Sequence, residues 1–159
     1  LNAFFKPEYP IESWVSRTNY PVRGIVPAGD YQMAFYIQKN YAQDTAYIQR
    51  YLLRLDGFSC LSAGYIEGII TTVPIIFKGD NLFLNFATSA AGYINIEIQD
   101  INGNPISGYE FSNSIPLKGN RINFKASWNN ISNLSSLQGI PVRLSFKMKD
   151  TDLYAIQFK

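Results

Sequence analysis

The sequence predicts an all-β protein: an antiparallel two-sheet β-sandwich, jelly-roll-like, preceded by a proline-rich arm and a β-hairpin. Three observations carry this. Apolar and polar residues alternate strictly over several short stretches, most clearly Ile94, Ile96 and Ile98 against Tyr93, Asn95, Glu97 and Gln99. A period of two is what a strand with one dry and one wet face requires. Turn-forming residues punctuate these stretches at the spacing of a sandwich, and no helical periodicity lies between them. That last point excludes a parallel α/β sheet, whose crossovers are long connections, usually helical.

Taken in order, residues 1–27 hold Pro7, Pro10, Pro21 and Pro27. Proline has no N–H to donate, so this arm is neither helix nor central strand, with room for a short strand at 22–26. Pro27 to Asp30 make a turn. Residues 31–38 and 46–55 alternate on either side of the polar break 39–45 and read as a hairpin with a longer loop. Asp56-Gly57 ends that region, and about seven short strands follow: 58–63, 69–77, 81–88, 92–100, 121–128, 142–149 and 153–158. Pro74 puts the second of these at an edge or bulge. Residues 64–68 form a loop, and 133–137 a single helical turn. The alternation buries Phe58, Leu82, Leu84, Phe86, Ile94, Ile96, Ile98, Ile122, Phe124, Trp128, Leu144, Phe146, Ile156 and Phe158. Two domains are expected: residues 1–55, and the sandwich at 56–159.

Composition removes several functions. With 47% apolar and 16% charged residues the chain is globular rather than disordered. A net charge of +2, with Lys and Arg scattered, offers no basic stripe for nucleic acid. The absence of His removes Ser-His and Cys-His nucleophiles and most zinc sites. Cys60 lies in an apolar run and reads as a buried, inert thiol. No apolar stretch is long enough for a membrane span. Asp100, Asn102, Gly103 and Asn104 echo half a calcium loop but lack its distal glutamate, so they read as a tight turn. Neither a metal site nor a cofactor is expected.

Several strings carry a likeness to a known family: E-S-W-V-S-R-T-N-Y-P-V-R-G-I-V-P at 12–27, Q-M-A-F-Y-I at 32–37, Y-I-Q-R-Y-L-L-R-L-D-G-F at 47–58, F-A-T-S-A-A-G-Y-I-N-I-E-I-Q-D at 86–100 and K-M-K-D-T-D-L-Y-A-I-Q-F at 147–158. In order and spacing they resemble the C-terminal part of large secreted bacterial proteins, glycoside hydrolases with a five-bladed β-propeller followed by a β-sandwich. The resemblance implies that residues 1–55 are the last part of a propeller and 56–159 the appended sandwich. It also implies a secreted, periplasmic or cell-surface location, with the remainder of the propeller as partner. The family's catalytic carboxylates are expected on earlier blades, so no catalytic residue is assigned in this chain. Residues 115–121 depart from the pattern, being shorter and less acidic, and no ligand contact is carried over to them.

Glycoside hydrolysis needs two carboxylates across a sugar bond, and the twelve Asp and Glu residues lie mostly in turns or on wet faces. Trp14, Arg17, Asn19 and Tyr20 are the candidate sugar-binding residues, with Arg23 beside them. Aromatic rings stack on sugar faces, while Arg and Asn hydrogen-bond hydroxyls. The wet-face set Tyr93, Asn95, Glu97, Gln99, Asn123 and Lys125 could line a lectin-like sheet. The leading functional expectation is a non-catalytic accessory module that braces the propeller. A carbohydrate-binding module is the alternative, and an autonomous hydrolase the third.

Overall fold

The computed structural model describes residues 4–5, 18–129 and 131–159. The chain divides into two compact units, Leu1–Phe58 and Ser59–Lys159. The division falls at the end of the turn formed by residues 55–58, where Asp56 adopts a φ of 56°.

In the N-terminal unit, β1 (Asn19–Pro21), β2 (Val26–Pro27), β3 (Gln32–Lys39) and β4 (Tyr47–Arg54) form one antiparallel sheet. β4 pairs with every residue of β3, from Gln32↔Arg54 to Lys39↔Tyr47. A strand has only two edges, so β1 and β2 lie end to end along the other, at Asn19↔Lys39 and Val26↔Ala34. Both strand prolines thus sit where no further strand needs their missing N–H. The single strand expected at 22–26 is instead these two, because Gly24, at φ 100°, turns the chain out between them. One face of β3 buries Met33 and Ile37. On that face Phe35 stacks on Tyr51 at 5.5 Å, and Phe5 packs edge-on to both.

The C-terminal unit contains β5 (Leu61–Ala63), β6 (Gly68–Thr71), β7 (Leu82–Gln99), β8 (Asn120–Lys125) and β9 (Arg143–Phe158). They form one antiparallel sheet in the order β5-β9-β7-β8, with β6 also on β9. The expected strands 81–88 and 92–100 are one strand, as are 142–149 and 153–158. The two long strands pair from Leu82↔Phe158 to Gln99↔Arg143, and their register breaks between Thr88 and Tyr93.

At that break the sheet doubles over. Leu82 and Ile96 would lie about 46 Å apart on a straight strand. Yet the Ala126 N–H donates to Leu82 O at 2.8 Å, and two residues on, Trp128 Nε1 donates to Ile96 O at 2.6 Å. Only a ladder folded face to face allows both bonds. The result is a two-layer β-sandwich made from one bent sheet. Gly92 makes the corner possible: a Cβ there would sit 2.2 Å from Asp150 O and 2.8 Å from Lys149 O. Opposite it, Asp150 takes a φ of 44°, a left-handed conformation that Asp adopts more readily than most residues.

The alternation holds on both sides of the corner. Leu82, Leu84 and Phe86 from one half and Ile94, Ile96 and Ile98 from the other are fully buried, with Leu144, Phe146 and Trp128. Tyr109 meets Trp128 edge-on at 5.3 Å. Six residues depart from their expected burial. Phe58 is exposed, because it lies in the turn that ends the N-terminal unit, its ring 5.6 Å from Phe4. Phe124 is exposed and Ile122 only half-buried, because β8 pairs with β7 alone and forms the rim. Ile156 and Phe158 are half-buried against the core rather than within it. Cys60 is exposed, not buried. Partial desolvation and then the neighbouring Asp152 carboxylate raise its thiol pKa, which keeps the thiolate scarce.

Along the free edge of the second half of β7, residues 105–117 take the place of a strand. The N–H groups of Ile94, Ile96 and Ile98 donate to Leu117 O, Ser114 Oγ and Tyr109 O. The buried backbone is therefore satisfied without regular pairing, as it must be. Asp100 closes the turn before this segment: its Oδ1 accepts the N–H groups of Asn102 and Asn104 at 2.8 and 2.9 Å. A single 3-10 turn, Ser135–Leu137, lies inside the expected 133–137.

Candidate functional site

The site follows from the parity of β7. With Ile94, Ile96 and Ile98 turned inward, Tyr93, Asn95, Glu97 and Gln99 face out. Antiparallel register sets Lys149 beside Tyr93, Lys147 beside Asn95 and Ser145 beside Glu97. β6 adds Ile69 next to Lys147 and Thr71 next to Ser145.

The two ends of this face differ. Around Glu97 it is roofed: the Phe111 N–H donates to Glu97 Oε2 at 3.1 Å and Gln99 Nε2 donates to Oε1 at 2.8 Å. Glu97 is 7% exposed and Ser145 1%, so the wet face expected there is dry. The cause is a segment fourteen residues downstream that folds back over the sheet. Ser145 meets Thr71 through their hydroxyls at 2.9 Å.

Around Tyr93 the face is open. A groove of about 540 Å³ is lined by Glu67, Tyr93, Asn95, Phe111, Ser112, Pro116, Lys118 and Lys147. Its parts are held in place. Tyr93 OH donates to Glu67 Oε2, and that bond is the main cause of a raised Tyr93 pKa. Asn95 Nδ2 donates to Ser114 O at 3.4 Å. The Lys147 ammonium lies 4.9 Å over the Phe111 ring, within cation–π range. Next to the groove, Lys149 Nζ lies 4.7 Å over the ring of Tyr65, which is 76% exposed. Among the described residues no carboxylate pairs with Lys118 or Lys147.

An aromatic face, an amide, a carboxylate and two ammonium groups in one open groove can hold a polar ligand that has a flat apolar side. The lining contains one carboxylate, Glu67, whereas glycosidic cleavage by the usual route needs two. The arrangement is suited to binding.

Of the residues singled out from the sequence, Trp14 and Arg17 lie outside the described residues. Asn19 and Tyr20 are neighbours in β1 and so face opposite sides of the N-terminal sheet. Asn19 sits opposite Lys39, with its Oδ1 buried and unpartnered. Tyr20 is exposed and meets Tyr41 edge-on at 5.1 Å. The groove instead draws Tyr93 and Asn95 from the wet-face set and adds Glu67, Phe111, Lys118 and Lys147. Lys147 was legible as an outward position of an alternating strand. Lys118 lies in the 115–121 segment to which no ligand contact was carried over.

Compared with family models, curated proteins and solved structures, the chain matches none. Among the described residues no helix is long and apolar enough to cross a membrane, and no cluster of three or more acidic or Cys side chains is placed to hold a metal.

Proposed function

We propose that this chain is a non-catalytic carbohydrate-binding module, an accessory part of a secreted glycoside hydrolase-like protein. The groove at Tyr93 is the observation that carries the reading. It combines a ring that can cover a sugar face with an amide, a carboxylate and ammonium groups that match hydroxyls. Its single carboxylate favours holding a glycan over cleaving one. The secreted or cell-surface location and the propeller partner rest on the family resemblance.

Titration calorimetry on the 159-residue chain, guided by a glycan array, tests it. An oligosaccharide binds the wild type, and Tyr93→Ala weakens it about tenfold or more, equivalent to about 1.4 kcal/mol. The melting temperature changes little, because Tyr93 stands outside the core. An array without hits, or binding that Tyr93→Ala leaves intact, overturns the reading.

A second reading, bracing of the propeller, is favoured by the N-terminal unit. Its sheet face away from Met33 and Ile37 carries Tyr20, Val26, Ile48 and Leu52, all exposed. An apolar face of that kind marks a surface that functions covered. Under this reading Ile48→Lys lowers the melting temperature of the intact parent and leaves that of the isolated chain unchanged. An unchanged parent rejects it.

A further inference from the structure

We propose that the Tyr93 groove selects an acidic saccharide, with the ligand's carboxylate or sulfate seated against Lys118 and Lys147. This rests on the reading of the groove as a carbohydrate site and names its ligand class. The lining carries two ammonium groups and one carboxylate, and an oxygen of that carboxylate already accepts the Tyr93 hydroxyl. Lys149 stands beside Tyr93 in the register but outside the lining, its ammonium over the Tyr65 ring. Like charges converging on one open space repel one another, and an anion placed among them is attracted by each.

The cations are also prepared for such a ligand. Lys147 is fixed at its root by the β7–β9 ladder and at its tip by the Phe111 ring. Little side-chain freedom remains to be lost on binding, which favours affinity. A neutral sugar would satisfy Tyr93 and Asn95 but leave both ammonium groups without a counter-charge. A uronic acid or a sulfated sugar uses all of them.

The test compares four probes by calorimetry: trigalacturonate, a sulfated galactan oligosaccharide, a neutral galactose trisaccharide and inorganic sulfate. An acidic saccharide binds at least about tenfold more tightly than the neutral one, the scale of a single charge-assisted hydrogen bond. The carboxylated and sulfated probes show which anion the groove prefers. Lys118→Gln and Lys147→Gln each remove about tenfold of acidic binding and weaken neutral binding by less, so the preference for the acidic probe shrinks; equal losses for acidic and neutral probes reject the selectivity. Raising salt from about 50 to about 500 mM weakens only the acidic ligands. Equal, Tyr93-dependent binding of neutral and acidic sugars rejects the selectivity and leaves the carbohydrate reading standing. Inorganic sulfate binding as tightly as the saccharides rejects the selectivity in favour of a simple anion site. No saccharide binding at all rejects both readings. Lys118 is exposed and Lys147 half-buried on the outer face, so both variants fold.

Discussion

Replacing Gly92 by Ala tests the central claim about the fold, that a single sheet turns a corner where β7 and β9 meet. The added Cβ would lie 2.2 Å from Asp150 O and 2.8 Å from Lys149 O, against an ordinary contact of 3.4 Å. Both obstacles are backbone, so the strands must part by about 1.2 Å at a point where packing leaves no slack. The bonds at risk are identifiable. The Asp150 N–H donates to Gly64 O at 2.8 Å, and Thr151 Oγ1 lies 2.7 Å from Lys149 O and 3.2 Å from Tyr93 O. Overpacking of this kind costs about 2–3 kcal/mol. In urea, with an m-value of about 1 kcal/mol per molar, the midpoint falls by about 2–3 M. The chain has two tryptophans, so a Trp14→Phe background lets Trp128 fluorescence report the C-terminal unit alone. Gly68→Ala is the control: nothing lies within 4 Å of its added Cβ, and a change within about 0.5 kcal/mol is expected. A Gly92→Ala variant as stable as that control would refute the corner.

Two further predictions concern Trp128 and Asp100. Trp128→Phe loses the bond to Ile96 O, leaves that buried carbonyl unpaired and destabilises by about 1–3 kcal/mol, whereas Trp128→Ala costs about 3–5 kcal/mol; a Trp128→Phe variant as stable as the wild type in chemical denaturation would mean that the bond between the layers contributes nothing. Asp100 has a lowered pKa, chiefly because the Asn104 side chain and N–H donate to its carboxylate. Its folded value lies below its unfolded one, so the ionised form stabilises the fold above the ordinary aspartate pKa, and that stabilisation disappears as pH falls through the lowered value. Asp100→Asn should therefore give a flatter melting curve against pH on the acid side, and parallel curves for the two proteins would refute the role of the charge.

The periodicity of the backbone made one level of this protein legible. Alternation at 82–86, 94–98 and 144–148 assigns each side chain to a face before any partner is known, and those residues form the core. Asp100 to Asn104 were legible for a related reason, since every bond in that turn spans four residues or fewer. The turn of Pro27 to Asp30 and the hairpin after it were local in the same sense. Pro21, Pro27 and Pro74 also limited which strands could be central, because a missing N–H matters wherever it is placed.

Continuity and coverage were decided elsewhere. Ser89 to Ala91 looks like a break in the chain, yet β7 runs through it, because Gly92 fits against Asp150 in a strand nearly sixty residues away. Glu97 alternates outward like Asn95, but only Glu97 is roofed, by the Phe111 N–H, and that difference is not written in β7. Phe124 has the right parity for the core and is exposed because its strand is an edge. The groove gathers Glu67, Tyr93, Phe111, Lys118 and Lys147 from a loop, two strands and the segment along the sheet edge. Local sequence determines which way a side chain points. Whether it meets water, core or a neighbouring charge depends on segments that reach it only when the sheet bends and the chain folds back over its face.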